Sequence, residues 1–225
     1  MSETISSVGP NGALLVIGAG PGVGAAVARR FGREGHAVGL VARDHDRLDA
    51  MAGQLNDEGI TAAFAVADVR DPAAVREAID ALEERLGVAA CLCVSPLPDI
   101  TTIKPVDDTT AEDLQSALEL GVVGTAAAVQ RVLPGMRGAG RGTLLFTTGS
   151  AALTPTPARA TSGIVNAAQS VYIKMLHDQL AGEGIYALHA VIVGPIGGDG
   201  HDPANIAEAM WEAASSRIHA QIVIR

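Results

Sequence analysis

The sequence predicts an α/β protein: one doubly wound domain with a parallel seven-stranded sheet and helices on both faces. Three observations carry this. Short runs that are apolar at every position recur along the chain, as strands covered on both faces must be. Amphipathic stretches with helix-start signals alternate with them. The first run ends in a glycine cluster that opens directly into a helix.

The elements follow in order. Residues 1–12 read as a flexible polar tail and 13–225 as the folded domain. Leu14–Ile17 is a strand, a helix runs from Pro21 or Gly22 to Glu34, and Ala37–Val41 is the second strand. Asp44 or Asp46 caps a helix to Asn56, and Ala63–Val66 follows as a strand. Asp71-Pro72 opens a helix to Leu86, with Asp at the cap and Pro in the first turn. The Cys91/Cys93 strand leads through Ser95-Pro96-Leu97-Pro98 to a helix from Ala111, which is expected to break near Pro134. Gly142–Thr148 is a strand, Ser162–Leu180 a long helix, Tyr186–Val193 a strand, Pro203–Ala214 a helix and Ala220–Ile224 the last strand.

The chain is 48% hydrophobic but only 3% aromatic, with 26 glycines, so its core must be built from closely packed Ala, Val, Leu and Ile. A net charge of −9 argues against nucleic acid or an anionic membrane as partner, because both recruit basic surfaces. The start, Met1-Ser2-Glu3-Thr4, has no apolar export core, and no uninterrupted apolar run suffices to span a bilayer. The expected location is cytoplasmic. Cys91 and Cys93 lie two apart in an apolar strand, too far for a disulfide and without partner ligands, so they read as small buried hydrophobes. No metal site is expected.

Gly18-Ala19-Gly20-Pro21-Gly22-Val23-Gly24 carries the chemistry. A strand, a glycine turn and a helix start gather backbone N–H groups and a helix N-terminus at one point, which suits a pyrophosphate. Gly20-x-Gly22-x-x-Ala25 also fits the general dinucleotide fingerprint.

Gly18-x-x-x-Gly22-x-Gly24 directly after the first strand resembles the short-chain dehydrogenase/reductase family, and other landmarks keep register over nearly the whole chain. Asp68-Val69 resembles the family's adenine-binding pair. Gly184-Ile185 precedes the sixth strand, and Val193-Gly194-Pro195-Ile196 resembles the turn beside the nicotinamide. The resemblance implies a Rossmann-type fold, a nicotinamide dinucleotide held by Gly18, Gly20, Pro21, Gly22, Val23, Gly24, Asp68, Val69, Ser95, Gly194 and Ile196, and a homodimer or homotetramer paired through its long helices. At the end of the second strand, Arg43 stands where NADP-preferring members carry an arginine, whose fork suits a phosphate, so NADP is expected ahead of NAD.

The catalytic positions depart from the family. Its Tyr-x-x-x-Lys maps to Ser162 and Asn166, its asparagine to Gly121 and its serine to Gly149 or Ser150. Tyr172 and Lys174 have the wrong spacing and lie far down the helix, with His177 exposed beyond them. The substrate lid shrinks to Gly197–His201, where His201, beside Asp199, could touch substrate. Asp99 and Lys104 read as solvated loop charges. The candidates for chemistry are therefore Ser150, Ser162 and Asn166. Three readings stay open: an oxidoreductase on a small carbonyl or hydroxyl compound, a non-redox isomerase, cyclase or lyase, and an inactive dinucleotide-binding subunit.

Overall fold

The strands are β1 (Ala13–Ile17), β2 (Ala37–Ala42), β3 (Ala62–Val66), β4 (Ala89–Val94), β5 (Gly142–Gly149), β6 (Ile185–Ile192) and β7 (Gln221–Ile224). They form one parallel sheet in the order β3-β2-β1-β4-β5-β6-β7. The helices are α1 (Val23–Gly32), α2 (His45–Asp57), α3 (Pro72–Leu86), α4 (Ala111–Leu118), α5 (Gly124–Ala139), α6 (Ala160–Leu180) and α7 (Pro203–Ser216). This computed structural model describes residues 11–198 and 201–225; residues 1–10 of the expected tail, and Asp199, lie outside the described residues.

Period-two alternation divides the strand side chains between two cores. Leu15, Ile17, Leu92, Val94, Leu144 and Phe146 pack with α3, α5 and α6. Leu14, Val16, Leu40, Cys93 and Leu145 pack on the opposite face with residues of α1, α2 and α7. Each fully buried Leu, Val, Ile or Phe contributes about 1.5–3 kcal/mol. Phe31 meets Trp211 edge-on at 4.8 Å and Arg30 lies 4.7 Å above the same indole, which locks α1 against α7.

Side-chain caps set several helix starts. Asp44 accepts from Arg47 N, Asp71 from Ala73 N and Ala74 N, and Asp202 from Ala204 N, while Thr110 and Asp113 form a capping box. The α1 start has no such cap.

Three expectations need correction. The helix does not break at Pro134 but runs on to Ala139 and ends at Gly140 in the left-handed conformation. Pro134 and Gln130 are both exposed, so water can take the carbonyl that the proline leaves without an N–H. A π-helical turn at Glu119–Val123 joins α4 to α5, giving a continuous helical span of 29 residues at 111–139 that is long and apolar enough to cross a membrane by length and composition. Within this fold its α5 half packs on α3 and β4, as a core helix does. His177 is half-buried rather than exposed, with Nδ1 2.8 Å from the Ala187 carbonyl and its ring against Tyr186.

Candidate functional site

Strand order reverses between β1 and β4, and open α/β sheets bind ligands at the carboxyl edge of such a switch point. Here the two loops touch. Gly18 has φ +81°, and a Cβ on it would lie 2.5 Å from the Pro96 Cα, so the glycine loop and the loop after β4 pack backbone to backbone. Gly18 N and Ala19 N both donate to the Val41 carbonyl at 2.9 Å, tying the same loop to the end of β2.

The glycine loop leaves the α1 N-terminus open. Its first turn holds no acid, and Gly22 at the cap position makes no side-chain hydrogen bond. A Cβ at Gly20 would meet nothing within 4 Å, and one at Gly22 only Ile196 Cγ2 at 3.7 Å. Backbone N–H groups, a helix dipole and open space therefore converge, with Ile196 as the opposite lip. These residues fit a dinucleotide pyrophosphate. Pro21, Val23 and Gly24 complete the turn, the last two buried.

The next two strand ends extend the site sideways. Ala67 N donates to the Ala42 carbonyl at 3.0 Å, so Arg43 and Asp68 emerge side by side. Arg43 is exposed, and its charge helps to hold the carboxyls of Asp68 and Asp99 below their usual values. The larger influence on Asp68 is the Arg70 guanidinium bonded to it, with Nη2 to Oδ2 at 2.6 Å. Val69 is buried beside it.

Across the switch point, Ser95 N donates to the Ile17 carbonyl at 2.9 Å and its hydroxyl accepts from Thr147 Oγ1 at 2.8 Å. Ser150 begins a tight turn after β5 that packs on α6. A Cβ at the preceding Gly149 would lie 3.8 Å from Asn166 Nδ2. Ser162 and Asn166 are one turn apart on α6, at the end of the helix that packs against this turn. The side chains of Ser150, Ser162 and Asn166 make no hydrogen bond to another described residue, so all three can bond a ligand. A Cβ at Gly121 would overlap Val165 Cγ1, which closes that position to any side chain.

Other sequence-level candidates go elsewhere. His201 is buried, with its ring under Gly194, where φ is +145° and a Cβ would lie 2.5 Å from His201 Cε1. The ring packs against this turn. Lys104 is paired rather than solvated, reaching both Asp113 oxygens at 2.9 and 2.8 Å. Asp99 caps the next turn by accepting from Thr101 N at 2.9 Å. Lys174 pairs with Asp178, and Tyr172 is half-buried, which raises its phenol.

A sequence model of the short chain dehydrogenase family matches residues 13–207. The chain belongs to the short-chain dehydrogenase family.

Among short-chain dehydrogenase relatives, sulfoacetaldehyde reductase 2 of Chromohalobacter salexigens is 30% identical over 173 residues, covering 76% of this chain and 68% of that protein. The NADP-dependent 3-hydroxy acid dehydrogenase YdfG of Salmonella typhi is 31% identical over 142 residues, covering 59% of this chain and 52% of that one. The chain thus spans about half the length of YdfG. The crystal structure of L-sorbose reductase from Gluconobacter frateurii, complexed with NADPH and L-sorbose, superposes with a TM-score of 0.85 at 22% identity, covering 97% of both chains. An NADPH-bound short chain oxidoreductase of Pseudomonas aeruginosa containing an atypical catalytic center superposes at 0.84 with 21% identity, covering 94% of this chain and 95% of that one.

Sequence reading missed two features of this short-chain dehydrogenase. Thr148 Oγ1 lies 2.7 Å from His189 Nε2 in a buried pair beneath the β5 end, and burial pushes the His189 imidazole down to about 4. The Asp68–Arg70 fork is the other. His189 sits in a run otherwise apolar, and an i,i+2 ion pair in a turn has no periodicity, so neither leaves a pattern to read.

Proposed function

We propose that the chain binds NADP(H) along the edge from Arg43 to Ile196 and acts as an oxidoreductase on a small carbonyl or hydroxyl compound, without the family's Tyr/Lys acid–base pair. The observation that carries the binding half is the uncapped α1 N-terminus under the open face of Gly20. The N–H groups of Gly20, Gly22, Val23 and Gly24 would hold the pyrophosphate, with Gly18 and Pro21 shaping the loop, Arg43 would hold the 2′-phosphate, and Asp68 and Val69 the adenine. Ser95, Gly194 and Ile196 would flank the nicotinamide. Bound there, the dinucleotide supplies or accepts a hydride.

Ser162, Asn166 and Ser150 orient the substrate oxygen by hydrogen bonds. None is a proton donor near neutral pH, so the proton for a forming hydroxyl comes from water or from the substrate. Losing a positioned acid typically slows such a step by roughly 10²–10⁴-fold. A second reading is favoured by this same uncharged set: a non-redox isomerase, cyclase or lyase in which the cleft only orients its substrate. A third is an inactive dinucleotide-binding subunit.

Titration with NADPH, followed by a carbonyl panel monitored by NADPH absorbance, separates them. Slow NADPH consumption supports the first reading, product without consumption the second, and tight binding with no turnover the third. Absence of any dinucleotide binding refutes the first reading and the third.

The assembly we propose is a homodimer or homotetramer. Ile164, Val171 and Met175 stand 43%, 59% and 57% exposed on α6 at spacings of seven and four, which places them along one helical face. Light scattering of the purified chain tests this; a monomer at assay concentration would refute it.

A further inference from the structure

Arginine and aspartate alternate across the ends of β2 and β3, and their pairing is unequal. Asp44 accepts from Arg47 N at 3.1 Å and is bridged by Arg47 Nη2 at 3.0 Å. Asp68 is held more tightly. Arg70 N donates to its Oδ1 at 3.0 Å, Nε lies 3.1 and 3.2 Å from its two oxygens, and Nη2 lies 2.6 Å from Oδ2. Each acid is thus matched by an arginine of its own turn. Arg43, between them, enters no hydrogen bond or ion pair with another described residue.

We infer that Arg70 is a specificity-determining residue that acts through Asp68: by holding that carboxylate it offsets the negative charge beside Arg43, leaving Arg43 available for a 2′-phosphate. This rests on the NADP reading above. A bare Asp68 carboxylate at the neighbouring strand end would compete for Arg43 and repel the phosphate. Paired with Arg70, it offers adenine an oxygen with little net field. Two further acids face this corner: Asp99, which stays charged while it accepts from Thr101 N and Oγ1, and Glu119, whose charge reinforces the Arg70 guanidinium. Neither is bonded to Asp68, so the Arg70→Met variant leaves both in place. Arg70 therefore serves as a positioning residue, without touching the phosphate.

The test compares the affinities of adenosine 2′,5′-bisphosphate and 5′-AMP by calorimetry, which needs neither a substrate nor turnover. The intact chain should favour the bisphosphate. Arg70→Met should cut that preference about tenfold at low salt, and less as salt rises, because an exposed charge is being unmasked. Adding Asp68→Asn to Arg70→Met should restore the preference to within about twofold. Weaker adenine binding by the altered side chain at position 68 affects both nucleotides alike, so the ratio isolates the charge. In parallel, a carboxyl-resonance titration should show Asp68 moving up toward its ordinary value in Arg70→Met.

An unchanged preference in Arg70→Met overturns the inference. So does a lost preference that Asp68→Asn fails to restore, which would mean that Arg70 binds the phosphate directly. Failure of the underlying reading looks different: the unmodified chain would bind both nucleotides equally, and Arg43→Met would change nothing.

Discussion

Gly121 in the π turn and Val165 on α6 are packed so closely that the hydrogen at the glycine Cα facing α6 occupies the space a Cβ would need. Any larger residue at 121 must displace Val165, which is buried and, being β-branched, stiff at χ1. Gly121→Asn should therefore destabilise the fold by about 1–3 kcal/mol, the usual cost of overpacking. Urea denaturation measures this. Gly121→Asn with Val165→Ala should recover part of the loss.

The glycine loop gives two variants with opposite signatures. Gly18→Ala meets both a left-handed backbone and the Pro96 backbone, so it should lower stability by roughly 1–3 kcal/mol and weaken NADPH binding with it. Gly20→Ala meets nothing in the free protein and should leave stability within about 0.5 kcal/mol. Its methyl group projects into the ligand's space, so NADPH affinity should still fall. Thermal melts and fluorescence titration read the two effects apart.

What was legible in the chain was what neighbouring residues determine. The run Leu14–Ile17 with its glycine turn, the Asp71-Pro72 start and the Asp44 cap are local signals, and the structure repeats them. The π turn and the unbroken helix through Pro134 depend on the surroundings of the helix rather than on its sequence neighbours. The π turn sits where Gly121 meets Val165 and Gly124 is pressed onto the Val69 carbonyl, contacts between distant segments, while the helix passes Pro134 because Pro134 and Gln130 face water. The site divides in the same way. Its glycine loop could be read directly, whereas the Ser95–Thr147 bond joins residues 52 apart and the Thr148–His189 pair residues 41 apart.

That buried histidine predicts an acid-sensitive fold. His189 titrates near 6.5 when unfolded and near 4 when folded, so the unfolded chain binds more protons between those values. Its contribution is complete above pH 6.5 and is lost as pH falls toward 4. His36, also lowered by burial, adds to the same slope. His189→Gln, which keeps a hydrogen bond to Thr148, should flatten the stability curve over this window by up to about 1.4 kcal/mol for each pH unit. Urea midpoints compared at both ends and in the middle of the window from about 4 to 6.5 provide the check.

Ser162→Tyr with Asn166→Lys would place a phenol and an ammonium one turn apart at the cleft. If the missing acid–base pair limits carbonyl reduction, NADPH consumption should rise by roughly 10²–10⁴-fold. Neither single variant should reproduce the gain, since the ammonium acts by lowering the phenol. Rates of all three variants across a carbonyl panel test this.

Cys91 and Cys93 are enclosed in the sheet, and burial pushes the Cys91 thiol well above its usual range and the Cys93 thiol up to about 12. Both should resist alkylation in the native state and react together on unfolding, so a thiol-reactive dye reports global opening.

The contact of Gly18 with Pro96 has a wider consequence. It fuses the ends of β1 and β4 into one fixed anvil, while the residues proposed to orient the substrate sit on the separate turn after β5 and on α6. Substitution at positions 150, 162 and 166 can proceed without loosening the anvil. If the proposed assignment holds, a lineage can exchange its reaction while keeping its grip on the dinucleotide, and an engineer can do the same.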